Sequence, residues 1–242
     1  MKIVAVQMPI VQDARKNVST IVKTIRDNAG ADWIVFPECA ITNWGGAPNI
    51  HDRNSLDAIE LIGYVRRIES FARESKTGIV LGTSWVHNGR VLNTARLTPR
   101  EGVTATYAKR LVCGGEPYET GTDSIVVEGL APFLCNDFWA TPDVSKNNPY
   151  YQHEAIAKGA TLFSVSANAN SGVFDDTVYQ YHKVTLEMWS KRMNIPIIVS
   201  NSSTNWRGGR ARCQAPTGIL QNGLWLDVCD VDDEYRVISK TI

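Results

Sequence analysis

Short runs of β-branched and aromatic residues alternate with helix-length amphipathic stretches along all 242 residues, and no linker or composition shift interrupts them. A chain of this kind has few options, because the runs must pair into sheets and the amphipathic stretches must cover them. Lys2 to Met8 reads as a strand, followed by a helix over Asp13 to Ala29 with Val18, Ile21, Val22 and Ile25 on one face. Trp33 to Phe36 reads as a second strand. After a Gly/Pro/Asn-rich loop, Ser55 to Lys76 reads as a helix, with Ser55 as N-cap and Leu56, Ile59, Ile62, Val65, Ile68 and Phe71 as its apolar series. Ile79 to Val86 turns at Asn88-Gly89 into Val91 to Leu97, a hairpin signature. Ile125 to Val127 and Phe133-Leu134 are expected to continue that sheet. Tyr150 to Lys158 and Thr177 to Asn194 read as helices, the second with Val178, Tyr181, Val184, Met188 and Trp189 as its apolar positions. Thr161 to Val165 and Ile195 to Ser200 read as strands, and the remainder is β-rich. The expected architecture is one α/β domain over residues 1–242, with a mixed sheet and a second sheet, since so many strands rarely fit one open sheet.

The 25 Lys+Arg balance 25 Asp+Glu and are mixed along the chain, which argues against a nucleic-acid partner. Five widely spaced cysteines, an odd number without a CxxC pair, read neither as a disulfide framework nor as a zinc site. They fit a reducing compartment. The opening apolar run is too short for a signal peptide's core, and no stretch is long enough to span a bilayer. A cytoplasmic protein with no membrane partner is the expectation. His51, His87, His153 and His182 show no metal spacing.

Three reactive residues lie just beyond extended segments, where α/β sheets present side chains to a ligand crevice. Glu38 follows Trp33-Ile-Val-Phe36 through Pro37; Lys109 closes Thr104-Ala-Thr-Tyr-Ala108; Cys135 ends Ala131-Pro-Phe-Leu134 and runs into Asn136-Asp137. Each alone has an ordinary explanation: a buried small hydrophobe for the cysteine, a solvated strand end for the lysine, a loop start for the glutamate. Together they form a set of proton-transfer carboxylate, oxyanion-stabilising ammonium and thiol nucleophile.

These segments, in this order, resemble the nitrilase superfamily of carbon–nitrogen hydrolases. Phe36-Pro37-Glu38 is similar to the segment bearing that family's catalytic glutamate. Tyr107-Ala-Lys109 is similar to the lysine segment, and Phe133-Leu-Cys135-Asn-Asp137 to the nucleophile segment. Weaker similarities run from Ile3-Val-Ala-Val-Gln7 through Lys158-Gly-Ala-Thr-Leu162 and Ile197-Ile-Val-Ser-Asn201 to Ala215-Pro-Thr-Gly218. The resemblance implies a single-domain four-layer α-β-β-α sandwich. It also implies an amidohydrolase of small non-peptide amides or carbamoyl compounds, working through a thioester on Cys135 with neither cofactor nor metal. The backbone N–H of Asn136 would join Lys109 at the oxyanion. The resemblance further implies a homodimer or higher homo-oligomer, formed through helices after the nucleophile and near Thr177.

Two places depart from the family pattern. A second glutamate that positions substrate and lysine is expected at Glu116, with Glu119 as the fallback, because Leu111 and Glu116 both fall one residue early. After the nucleophile, Asn136 stands where an aromatic or acidic residue is common, and Pro142-Asp143 comes one residue late with no Arg nearby. Trp44, Phe138, Trp139 and Asn168 lie in flanking segments and are candidates for the pocket, with core packing as the alternative for the aromatics. The rival functions are a nitrilase, a catalytically inert binding homologue and a Cys–His hydrolase.

Overall fold

A computed structural model of the chain describes residues 1–42, 56–113, 116–139, 151–171, 175–204, 212–231 and 234–242. The elements run β1 (Lys2–Gln7), α1 (Ala14–Asp27), β2 (Trp33–Val35), α2 (Leu56–Glu74), β3 (Ile79–His87), β4 (Arg90–Thr98), β5 (Ala105–Ala108) and β6 (Leu130–Leu134). They continue with α3 (Asn136–Trp139), α4 (Tyr151–Ala157), β7 (Leu162–Ala167), β8 (Asn170–Ser171), α5 (Asp176–Met193) and β9 (Ile197–Asn201). The last are β10 (Arg212–Cys213), β11 (Gly218–Gln221), β12 (Leu224–Val228) and β13 (Arg236–Thr241).

One sheet has the order β13-β1-β2-β3-β4-β5 and the other β12-β11-β9-β7-β6, with β8 and β10 as a separate short pair. Strands joined by helical crossovers (β1–β2, β2–β3, β6–β7, β7–β9) pair parallel, while hairpin neighbours such as β3–β4 and β11–β12 pair antiparallel. The parallel strands read as continuous apolar runs because both of their faces are covered. Three cores result. Val18, Ile21, Ile25, Leu61, Val65 and Ile68 from α1 and α2 cover the outer face of the first sheet. Ile3, Val35, Tyr107, Leu134, Ile198 and Ile219 fill the space between the sheets. Leu186 and Trp189 of α5, with Tyr151 and Ala155 of α4, cover the outer face of the second. This is the expected four-layer α-β-β-α sandwich, and no helix among the described residues is long and apolar enough to cross a membrane.

Asp13 caps α1 by accepting the Arg15 N–H, while Ser55, the expected cap of α2, lies outside the described residues. Three expectations need correction. Val127 only bridges Leu130 around a tight turn, and β6 pairs with β7, so this segment opens the second sheet instead of extending the first. On α2 the buried series is Ala58, Leu61, Val65, Ile68 and Ala72, whereas Ile59 is exposed. A series read at a spacing of three drifts off the face of a 3.6-residue helix within two steps. On α5, Tyr181, Val184 and Met188 face solvent, and Leu186, Trp189 and Ser190 face the sheet.

Candidate active site

Glu38 lies just past the carboxyl end of β2, Cys135 follows β6 directly and Asn168 follows β7 directly, so parallel strands of both sheets deliver residues to one edge. Two chain features bring Glu38 there. Its N–H donates to the Ala167 carbonyl at 3.2 Å, tying the first sheet to the end of β7. Gly82 lies beneath it: a Cβ at this position would stand 2.2 Å from the Pro37 oxygen and 2.7 Å from Glu38 Cα, so only glycine lets β3 pass. Gly121 does the same for the lysine. Its N–H donates to the Lys109 carbonyl at 2.7 Å, and a Cβ would sit 2.3 Å from the Ala108 oxygen.

Lys109 is fully buried and its ammonium is held between two buried carboxylates, Glu38 Oε1 at 2.8 Å and Glu116 Oε1 at 2.6 Å. The side-chain exposures are 0% for Lys109, 2% for Glu38 and 3% for Glu116, so the charges interact with little solvent screening. Burial by itself pushes the ammonium down, but Glu38, the Cys135 thiol and Glu116 outweigh it and hold Lys109 well above its ordinary range. Asn93 Nδ2 also donates to Glu38 Oε1 at 2.8 Å, and the Asn93 carbonyl accepts the Lys109 N–H at 2.8 Å. Asn93 therefore fixes both ends of the ion pair. Nothing in its setting on β4 singled it out beforehand. Glu116 Oε2 is buried and receives no hydrogen bond from the described residues. Glu119 stands apart, exposed and paired with Arg90 at 2.7 Å, so Glu116 is the second glutamate of the cluster.

Cys135 adopts a left-handed backbone conformation with φ 44 at the junction of β6 and α3. For a residue with a Cβ this is a strained turn, of the sort that projects a side chain at a functional site. Its N–H donates to the Ser166 carbonyl at 2.9 Å and its carbonyl accepts the Phe138 N–H at 3.0 Å. Burial pushes the thiol up and Glu38 adds to that, while Lys109 opposes it, so the resting sulfur carries its proton. Cys113, half-buried on the loop after Lys109, is pushed up to about 12 by burial and by the Glu116 and Glu38 carboxylates against Lys109. Cys39 beside Glu38 is fully buried under Tyr118 and Asn93.

The loop after Lys109 is clamped from α3. Asp137 accepts the N–H groups of Arg110 at 3.0 Å and Leu111 at 2.6 Å, and the Tyr107 hydroxyl at 2.7 Å. Asn136 Nδ2 donates to the Leu111 carbonyl at 3.4 Å. As the first residue of α3, Asn136 has a backbone N–H without an intrahelical acceptor. Arg110 stacks 3.8 Å over the Tyr151 ring and pairs with Glu154 at 2.7 Å, which anchors the same loop to α4.

The other candidates fall in three different settings. Phe138 is fully buried, in edge-to-face contact with Phe133 and Phe163, and belongs to the outer core of the second sheet. Trp139 is also buried, but its indole N–H donates to Cys135 Sγ at 3.5 Å. Asn168 is half-buried at the end of β7, and Trp44 lies outside the described residues.

The model of the Carbon-nitrogen hydrolase family matches residues 2–127. No curated protein sequence matches. Among solved structures, a mutant of the amidase from Nesterenkonia sp. AN1 in complex with butyramide superimposes with a TM-score of 0.79 at 19% identity. That match covers 99% of this chain and 90% of the other. A second mutant of that amidase shows covalent addition of the acetamide moiety of fluoroacetamide at its active-site cysteine. It gives a TM-score of 0.78 at 18% identity, over 99% of this chain and 90% of the other. The glutamine-dependent NAD+ synthetase from Acinetobacter baumannii gives 0.74 at 16% identity, covering 98% of this chain and 45% of that one. These likenesses show a shared fold; with just over half of its length matched by the family's model, the chain belongs to the carbon–nitrogen hydrolase family.

Proposed function

We propose that the protein is an amidohydrolase that cleaves a small non-peptide amide or carbamoyl compound through a thioester on Cys135. The single observation that supports this most is the buried Glu38–Lys109–Glu116 cluster beside a protonated thiol. A thiol held in its neutral form needs a base, and Glu38 is the neighbouring carboxylate. Both described bonds to Glu38 end on Oε1, which leaves Oε2 to take the thiol proton. The sulfur then attacks the carbonyl carbon and the C=O electron pair moves to oxygen. Lys109 and the Asn136 N–H meet that oxyanion. Such preorganised donors are worth about 3 kcal/mol each in acyl-transfer sites. Glu38 passes its proton to the leaving nitrogen as the C–N bond breaks. It then takes a proton from water, whose oxygen attacks the thioester and releases the acid and the thiol.

Glu116 Oε2 favours an amide over a nitrile. A buried carboxylate oxygen lacking a donor costs about 1–3 kcal/mol, and a primary amide or carbamoyl group brings an N–H that satisfies it. A nitrile brings none. The intact cluster also argues against an inert binding homologue. His182 Nδ1 is bonded to the Gln214 carbonyl at 2.6 Å and burial holds the imidazole below its ordinary range, which disfavours it as the thiol's base. Full activity after replacement of all four histidines would exclude a Cys–His hydrolase. The five free cysteines support a reducing compartment, the cytoplasm, and the exposed apolar stripe of α5 supports a homo-oligomer.

The test is a panel of small amides, ureas and nitriles assayed on the wild type and on Cys135→Ala. Intact-protein mass spectrometry of Glu38→Gln would weigh any acyl group trapped on Cys135. Amide turnover should fall by about 10³-fold or more in Cys135→Ala, as for loss of a covalent nucleophile. Undiminished turnover in that variant would sink the mechanism, and faster turnover of nitriles than of the matching amides would sink the substrate class.

A further inference from the structure

We propose that the indole N–H of Trp139 is a further catalytic donor of this site, holding the Cys135 sulfur as a thiolate whenever it carries negative charge. The inference rests on the reading of Cys135 as the nucleophile. Trp139 lies four residues beyond Cys135, at the end of α3, and the helical turn brings its Nε1 to 3.5 Å from Sγ. An indole N–H can only donate. It therefore has no preference for the S–H form and strengthens as the sulfur becomes anionic.

The demand for such a donor follows from the bonds of Lys109. An ammonium has three protons, and two of them are committed to Glu38 and Glu116. The third serves either the substrate oxyanion or the sulfur. With Lys109 on the oxyanion, Trp139 is the described side chain left to donate to sulfur. Among the described residues, the ionisable groups around the thiol are Glu38, Cys113 and Lys109. Burial first, and then Glu38 and Cys113, disfavour the thiolate; Lys109 and the Trp139 hydrogen bond favour it.

The indole is held in place for this task. Its ring meets Phe138 edge-on at 5.7 Å, and the His182 ring covers it at 4.6 Å with a 41° tilt. The Trp139 carbonyl accepts the Tyr181 hydroxyl at 2.5 Å. A carbonyl only accepts, so His182 Nδ1 carries the hydrogen toward Gln214, and burial keeps the imidazole below its ordinary range. The ring over the indole is consequently neutral, and α5 fixes the donor without adding charge.

The donor should act twice: when the thiolate forms for attack, and when it is expelled from the second tetrahedral intermediate. The test is Trp139→Phe in the full chain, which keeps an aromatic ring and removes the N–H. Cys135 alkylation by iodoacetamide would be followed against pH, with the modified peptide resolved by mass spectrometry from those of the other four cysteines. At every pH at which the protein stays folded, the alkylation rate should fall about tenfold, as for a tenfold smaller thiolate fraction. On the best amide, kcat should fall by a similar factor with KM held. Should Trp139→Phe fold poorly, 3-benzothienylalanine at this position keeps the bicyclic shape without the N–H, and the same loss of rate is expected. An unchanged alkylation rate in a folded variant overturns the proposal. Alkylation needs no amide turnover, so a wild type inactive on every amide would sink the proposed function while leaving this measurement decisive.

Discussion

Asp137 reaches from α3, the helix after Cys135, to the loop after Lys109, and its fully buried carboxyl is pushed up to about 6. Burial is the main cause, opposed by Lys109, the Tyr107 hydroxyl and the N–H groups of Leu111 and Arg110. The unfolded chain releases this proton near 3.8, so between about pH 4 and 6 the folded state holds a proton that the unfolded state has lost. The contribution to stability is thus full below pH 4 and is lost as pH rises through 6, on the order of 2–3 kcal/mol in all. Asp137→Asn removes that titration. Relative to wild type, the variant should gain by about that amount between pH 4 and pH 7 in urea-unfolding free energies, and a pH-independent difference would refute the assignment. At this scale Glu38, Lys109 and Cys135 were readable because each ends an extended segment and bears reactive chemistry. Asn93 and the buried carboxyl of Asp137 were not, since their roles exist only once strand register and the β6–α3 turn set them beside the lysine loop.

Helix α5 shows what periodicity does and does not encode. Its apolar residues at 181, 184 and 188 do share a face, but that face looks outward, with Val184 at 57% exposure. Pattern alone gives a stripe without saying what covers it. Leu186 and Trp189 make the contact with the second sheet, and the Asp175 cap and the left-handed Asn194 set the helix ends. The existence and type of the helices and of most strands were legible because the apolar spacing switches plainly between periods. The assignment of β6 to a second sheet was not, because the tight turn at Glu128 and Gly129 resembles any hairpin in sequence. An outward stripe of Tyr181, Val184 and Met188 is the kind of surface that a second copy of the chain would cover. Light scattering should find a dimer, and Val184→Glu with Met188→Glu should weaken it by about a hundredfold or more. An unaltered mass for the double variant would place the interface elsewhere.

On the scale of the molecule, the candidate site belongs to neither sheet alone. Glu38, Asn93, Lys109 and Glu116 come from the chain of the first sheet, whereas Cys135, Trp139 and Asn168 come from that of the second. The halves meet through an apolar interior and through the Glu38 N–H on the Ala167 carbonyl, and β13 returns to pair with β1 along Lys2 to Gln7. The substrate was not readable for a related reason: residues 43–55, 140–150 and 205–211 lie outside the described structure, and loops, unlike strands, carry no period. The turn at Glu128, which is exposed, and Gly129 separates Glu38, Lys109 and Glu116 from Cys135. Residues 1–128 and 129–242 made as two polypeptides should each be inert and recover at least about a tenth of the intact activity when co-expressed, because β13 and the buried interface recruit the partner fragment. Failure of an assembled pair to turn over amide would contradict this. Divided at that turn, the enzyme becomes a coincidence detector, silent until two separate chains have found each other.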